Sequence, residues 1–280
     1  FTTLLDSMGH AGVWTIFGIV NVVCILLVLF FVKDYPEQCG EFPDNDKTMT
    51  REQALAEQKA GMEMAKHSVW TVKNLLATPQ TWMIGIALGT LPLFTAAYTS
   101  QMIPHFLSLG FDRMAAVGMT SIMSLCACVG SLICGVLAQK LGARKGMLIV
   151  SACVIVACIL NAIPNTMTVT VALAFVGMCL GGASTFLVST IGEYWGRFGF
   201  AGAQRVVMPI QQCVGAAGTI VMAACATAVS YEFAFIVLGV CSAIGFLLIF
   251  AVKSDSIAKR QKELEAKAGV KAPEPPAPEA

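Results

Sequence analysis

Seven stretches of the chain run for about a bilayer's thickness with no Asp, Glu, Lys or Arg away from their ends. They are 11–32, 80–106, 112–138, 146–163, 168–191, 206–229 and 232–252. A helix needs about 20 apolar residues to cross the hydrocarbon core. The pattern therefore predicts an all-α, polytopic membrane helix bundle of about seven transmembrane helices. The breaks carry turn chemistry: Leu109-Gly110-Phe111-Asp112, Pro164-Asn165-Thr166, Gly196-Arg197-Phe198-Gly199 and Ser230-Tyr231-Glu232. A long polar segment, 33–79, separates the first span from the other six. Within it Thr50-Arg51-Glu52-Gln53 fits a capping box and predicts a solvated surface helix to about residue 66. After the last span, Lys253 to Lys267 reads as a short charged helix. The Pro-rich end from residue 269 to 280 reads as disordered.

Composition agrees with the pattern. Of 280 residues, 56% are hydrophobic and 12% charged, with mean hydropathy +0.74, whereas soluble domains are about one quarter charged. A net charge of +1 gives no polyelectrolyte argument for nucleic acid. Charge adds sidedness instead. Seventeen of the 18 Lys and Arg fall in 33–79, 139–145, 192–205 and 253–280; only Arg113 falls on the opposite side. The positive-inside rule then places residue 1 outside and residue 280 in the cytoplasm. That alternation requires seven spans. The chain starts at Phe1 and carries no secretory signal pattern, which reads as a fragment or processed chain. Ten of the 11 cysteines lie in apolar runs, where they act as small apolar residues. No metal, cofactor or catalytic constellation is expected; His10, His67 and His105 stand beside no nucleophile or acid pattern.

The loop 135–146, GVLAQKLGARKG, resembles the signature G-x-x-x-D-[RK]-x-G-[RK]-[RK] of the major facilitator superfamily, in its second-half copy. Gly135, Lys140, Gly142, Arg144 and Lys145 fit it; Gln139 stands where the acid is usual. PEQCGEFPDND, 36–46, is similar to a stretch after the sixth helix in monocarboxylate-transporter-like and oxalate/formate-antiporter-like members. IGEYWGR, 191–197, has the family's acid-then-Arg ending of the tenth helix. The resemblance implies a second half of the facilitator fold. Residues 1–32 would be the last helix of the N-terminal half and 33–79 a cytoplasmic inter-half loop. Residues 80–252 would be a six-helix transport half made of inverted repeats, and 253–280 a cytoplasmic tail. It implies a multi-pass protein of the plasma (cell inner) membrane, whose partners are the bilayer, a small-molecule substrate and, if the chain is a fragment, the missing N-terminal half. The activity implied is secondary transport by alternating access, of a small organic anion such as a mono- or dicarboxylate, including antiport. The seventh, eighth, tenth and eleventh helices would line the cavity.

Polar residues in lipid are costly unless they face a cavity or a partner. Tyr98, Gln101 and His105 recur at helical spacing and share a face; they form either a cavity-facing stripe or anchors at the outer interface. Pro92 predicts a kink in their helix. Ser124 is a weaker candidate, because small hydroxyls bond back to their own helix. Gln211 and Gln212 carry amides that their own helix cannot satisfy. Gly177 and Gly181, with Gly215 and Gly218, predict close helix approach. No mid-span charge is seen, so a neutral solute is equally compatible with this half. For the gate, Lys140, Arg144, Lys145, Glu193 and Arg197 are candidates: Arg144 or Lys140 meets Glu193 in one transport state, or Arg197 does so along its own helix. Two other classes compete. A seven-helix receptor, or a non-transporting membrane subunit, matches the span count but not the long first inner loop; a membrane enzyme lacks a catalytic set.

Overall fold

The computed structural model describes residues 2–32, 68–252 and 255–268, with isolated positions between 52 and 63. The motif stretch 36–46, most of the helix expected from Thr50, and residues 269–280 lie outside the described residues. Among the described residues there is helix and no strand. The chain divides into two units, 1–64 and 65–280.

The first unit carries α1, Thr2–Phe31, broken at Gly9, whose φ of 68° is open to glycine. From Met8 to Phe31 most of its Val, Ile, Leu and Phe side chains are exposed, Val13 being buried and Ile16 half-buried. Its polar side chains turn inward on the backbone: Thr15 Oγ1 donates to the Ala11 carbonyl and Asn21 Nδ2 to that of Phe17, each at 2.8 Å. A helix apolar all round with its polar groups self-satisfied is suited to lipid.

The second unit begins with the short α2, Val72–Leu76. Six long helices follow: α3 (Pro79–Ser108), α4 (Arg113–Leu141), α5 (Ala143–Asn161), α6 (Thr166–Gly196), α7 (Gly199–Ala228) and α8 (Tyr231–Ala251). The tail helix α9 is Asp255–Ala268. Each long helix, like Met8–Phe31, is long and apolar enough to cross a membrane, which makes seven spans among the described residues. Local chemistry starts them. Asp112 Oδ1 accepts from Ala115 N at 2.7 Å, Asn165 Oδ1 from Met167 N at 2.9 Å and Ser230 Oγ from Phe233 N at 3.2 Å, all N-caps. Pro79 opens α3 at the position where a missing N–H is harmless. α6 and α7 are one helical run broken only at Gly196, φ 69° and ψ 175°.

Of the six long helices of the second unit, α3 is the most buried and α4 the least. Tyr98, Phe94, Phe106, Phe186 and Phe235 are the largest side chains fully enclosed in the core. The helices close on small residues. A methyl added to Gly177 or Gly181 would strike the α4 backbone at Cys126, Ala127 or Ser131, and one on Gly130 would lie 2.6 Å from Met178 Cα. On the other seam, Gly218 lies against the Leu93 carbonyl and Gly215 against the Pro92 ring, while Gly89 meets Val214. Both glycine pairs expected from the sequence thus stand at close helix contacts. Pro92 lies inside the continuous α3.

Candidate functional site

Two ends of the bundle differ in character. One carries the α4–α5 turn, the α6–α7 joint and α9, and with them most of the Lys and Arg. The other carries the turns at 109–112, 162–165 and 229–230.

Toward the second end, the Tyr98–His105 face of α3 meets α8. Tyr98 is buried between Phe94 and Phe235, with ring centroids 5.8 and 6.0 Å away, and its hydroxyl lies 3.4 Å from Asn161 Oδ1 on α5. Asn161 in turn donates to the Ala157 carbonyl at 2.8 Å. His105 is 2% exposed, with Tyr231 and Phe235 ring centroids each 5.0 Å away. Neither of its ring nitrogens has a hydrogen-bond partner among the described residues. Gln101, between them on that face, is half-buried. Tyr98 and His105 therefore come together with α5 and α8 in an aromatic cluster, and Gln101 stays at its margin.

The solvent-accessible faces of α4 and α7 are different. On α4, Ser121, Ser124, Cys128 and Ser131 are all exposed and follow one another at spacings of three and four, a single stripe of small polar side chains. Ser124 Oγ donates to the Thr120 carbonyl at 2.9 Å. Beside that stripe α4 exposes Met114, Leu125 and Leu132. On α7, Ala201, Arg205, Met208, Gln212 and Ala216 form one exposed face. The side-chain amide of Gln212 makes no hydrogen bond among the described residues, nor does that of Gln211, which is 5% exposed on the side of α7 that meets α3.

Arg205 is the residue that sequence reasoning misplaced. The hydrophobic run was expected to begin at 206, leaving Arg205 in a loop. The helix begins at Gly199, so Arg205 lies six residues inside it, about 9 Å along the axis at 1.5 Å per residue. The available signal was the Gly196–Gly199 turn, which sets the helix start; hydropathy alone stops at the first cation. Arg205 and Gln212 are seven residues apart and share the exposed face.

At the charged end three helices are tied together through backbone. Gly142, φ 81° and ψ 159°, ends α4 and precedes α5, and it has no side chain to cap α5. Glu193 of α6 does this instead: its Oε2 accepts from Ala143 N at 2.6 Å. A carboxylate at a helix N-terminus also meets the positive end of the macrodipole. The neighbouring Arg144 reaches the last turn of α8, where Nη2 donates to the Phe250 carbonyl at 2.8 Å and Nε to that of Ile249 at 3.4 Å. That places a cation at a helix C-terminus, again the favourable end. Arg144 and Glu193 thus converge on one turn but form no ion pair with each other in this conformation. Lys140 and Lys145 are exposed there. The side chain of Arg197 lies outside the described residues.

A model of the Major Facilitator Superfamily matches residues 2–208 and 119–278. An uncharacterized MFS-type transporter, YhjX of Escherichia coli (strain K12), is 24% identical over 203 residues, covering 70% of this chain and 44% of that protein. The chain thus matches less than half the length of that relative.

Proposed function

The chain belongs to the major facilitator superfamily, and from that premise we propose that it serves secondary transport of a small solute by alternating access. Residues 80–252 are the C-terminal transport half, 1–32 the last helix of the N-terminal half, 33–79 the loop between halves and 253–280 the tail. The 17-to-1 distribution of Lys and Arg supports a cytoplasmic charged end in the plasma (cell inner) membrane.

The observation that carries the substrate reading is a cation and an unspent amide on one exposed face of a membrane helix, Arg205 and Gln212 on α7. Lipid disfavours both, whereas a water-filled pathway accepts both. An Arg guanidinium pairs with a carboxylate through two parallel N–H donors, which favours a small organic anion such as a mono- or dicarboxylate. The Ser121–Ser124–Cys128–Ser131 stripe of α4 completes a polar wall, with Gln211 and Gln101 as further hydrogen-bonding groups. Tyr98 and His105 hold α3 against α8 near the outer end. Glu193 and Arg144, with Lys140 and Lys145 exposed at the same turn, hold α5, α6 and α8 together at the inner end, as a brace that each transport cycle must respect.

The test is uptake by the full-length protein in proteoliposomes, with labelled mono- and dicarboxylates beside neutral solutes of similar size. Arg205→Gln is expected to reduce anion uptake more than tenfold while elution and thermal unfolding stay unchanged. No flux of any solute would sink the transport reading; flux of neutral solutes alone, indifferent to Arg205→Gln, would sink the anion reading.

A further inference from the structure

The tail helix α9 is anchored by one face and leaves another open. Ile257 is fully buried, Leu264 packs on the core, and Gln261 Oε1 lies 3.5 Å from Trp70 Nε1. These three are spaced by four and three residues and form the docked stripe. Ser256, Lys259, Arg260 and Glu263 form the flanking stripe, also at helical spacing. With Pro79 and Gln80 at the start of α3, they line a recess of about 420 Å³, within the range of about 300–1,000 Å³ common to small-ligand sites.

The lining has the chemistry of an oxyanion site. Lys259 and Arg260 bring two cations against the single carboxylate of Glu263, which holds Arg260 Nη1 at 2.8 Å. Arg260 Nε is buried with no partner among the described residues, and so is Gln80 Oε1. Turning the Gln80 amide about its last bond would present its N–H donors instead. The first turn of α3 adds the positive end of a helix dipole. Position identifies the anion's source. α3 enters its span at Pro79, and Trp82, one turn on, is 43% exposed with its Nε1 bonded to the Leu76 carbonyl at 2.9 Å. An exposed, anchored tryptophan marks the headgroup level of a bilayer.

We propose that this recess binds the phosphate of an anionic phospholipid, clamping α9 and α3 to the membrane surface. The site is distinct from the proposed transport pathway and needs only the membrane-spanning architecture.

The test uses the full chain in nanodiscs of phosphatidylcholine with 10-fold less phosphatidylglycerol, followed by native mass spectrometry of the retained lipid. Wild type is expected to retain phosphatidylglycerol in preference to phosphatidylcholine. Lys259→Gln and Arg260→Gln should each weaken that retention about fivefold, the effect of about 1 kcal/mol per surface cation. Lys262→Gln removes the same charge from α9 outside the recess and should leave retention within about twofold of wild type. Equal loss in Lys262→Gln would show generic surface attraction and overturn the proposal, as would equal retention of the two lipids by wild type. Displacement of the lipid by millimolar inorganic phosphate would overturn the lipid assignment. Far-UV dichroism of each variant guards against unfolding of α9.

Discussion

Gly142 and Glu193 illustrate how one turn can depend on a residue 51 positions away. Gly142 has φ 81° and ψ 159°, a region essentially closed to residues with a Cβ, at a cost of about 1–3 kcal/mol. Gly142→Ala is therefore expected to lower the thermal unfolding temperature in detergent, although its methyl would meet Glu193 Oε2 only at 3.5 Å. An unchanged unfolding temperature would reject the backbone argument. Glu193→Ala removes the acceptor for Ala143 N–H, a trans N-cap for which about 0.5–2 kcal/mol is expected. Glu193→Gln keeps an acceptor oxygen and should lose less. The same bonds decide the charge-reversal pair Arg144→Glu with Glu193→Arg. Each residue's observed partner is a backbone group of another helix, so the double variant should recover less than about 1 kcal/mol over the sum of the singles. Full recovery of stability would show a direct pair. The sequence pointed to these residues by charge and spacing. It could not show their partners, because a backbone N–H or carbonyl looks the same at every position in a sequence.

At the scale of elements, the closest helix contacts were legible and one helix start was not. Gly177 with Gly181 and Gly215 with Gly218 announce themselves by spacing, and all four meet a neighbouring helix. The kind of neighbour sets the outcome of substitution. Gly181→Ala and Gly218→Ala each drive a methyl into main chain, at Ala127 and Leu93, which cannot yield without shifting a helix. Each should destabilise by about 1–3 kcal/mol. Gly239→Ala meets only Cys158 Cβ at 3.3 Å, and its effect should be the smallest of the three by thermal unfolding in detergent. A reversed order would reject the packing account. The start of α7 was less legible. Hydropathy ends a span at its first cation, but helical hydrogen bonding continues to Gly199, and the long Arg205 side chain can carry its charge away from lipid. Arg205 was thereby hidden from any search for charges within spans, although it is the cation on which the proposed anion reading rests.

For the molecule as a whole, the sequence showed seven spans and a charged tail, but not that the tail is part of the folded bundle. The charged pattern of α9 reads as solvated because its docking stripe holds only Ile257, Gln261 and Leu264. What completes that stripe comes from distant segments: Trp70, 7% exposed before α2, lies edge-on to Trp195 at the end of α6 with centroids 6.2 Å apart. The tail helix, the lead-in to α3 and the α6–α7 joint at Gly196 therefore share one aromatic contact. If α9 is held mainly by this stripe, a charge at its most buried position should release it. Burying a full isoleucine side chain is worth about 1.5–3 kcal/mol, and Ile257→Asp replaces that gain with the cost of an unpaired buried carboxylate. The measurement is Trp70 emission in a chain whose Trp14, Trp82 and Trp195 are replaced by phenylalanine, which keeps a ring against Trp70. Ile257→Asp should shift the emission to the red and speed its quenching by acrylamide, while the span helices keep their dichroism. Lys262→Ala, on the exposed side of α9, should change neither. An unshifted spectrum in Ile257→Asp would mean that Trp70 is enclosed by the span helices alone, and α9 would then lose its place as a structural part of the helix bundle.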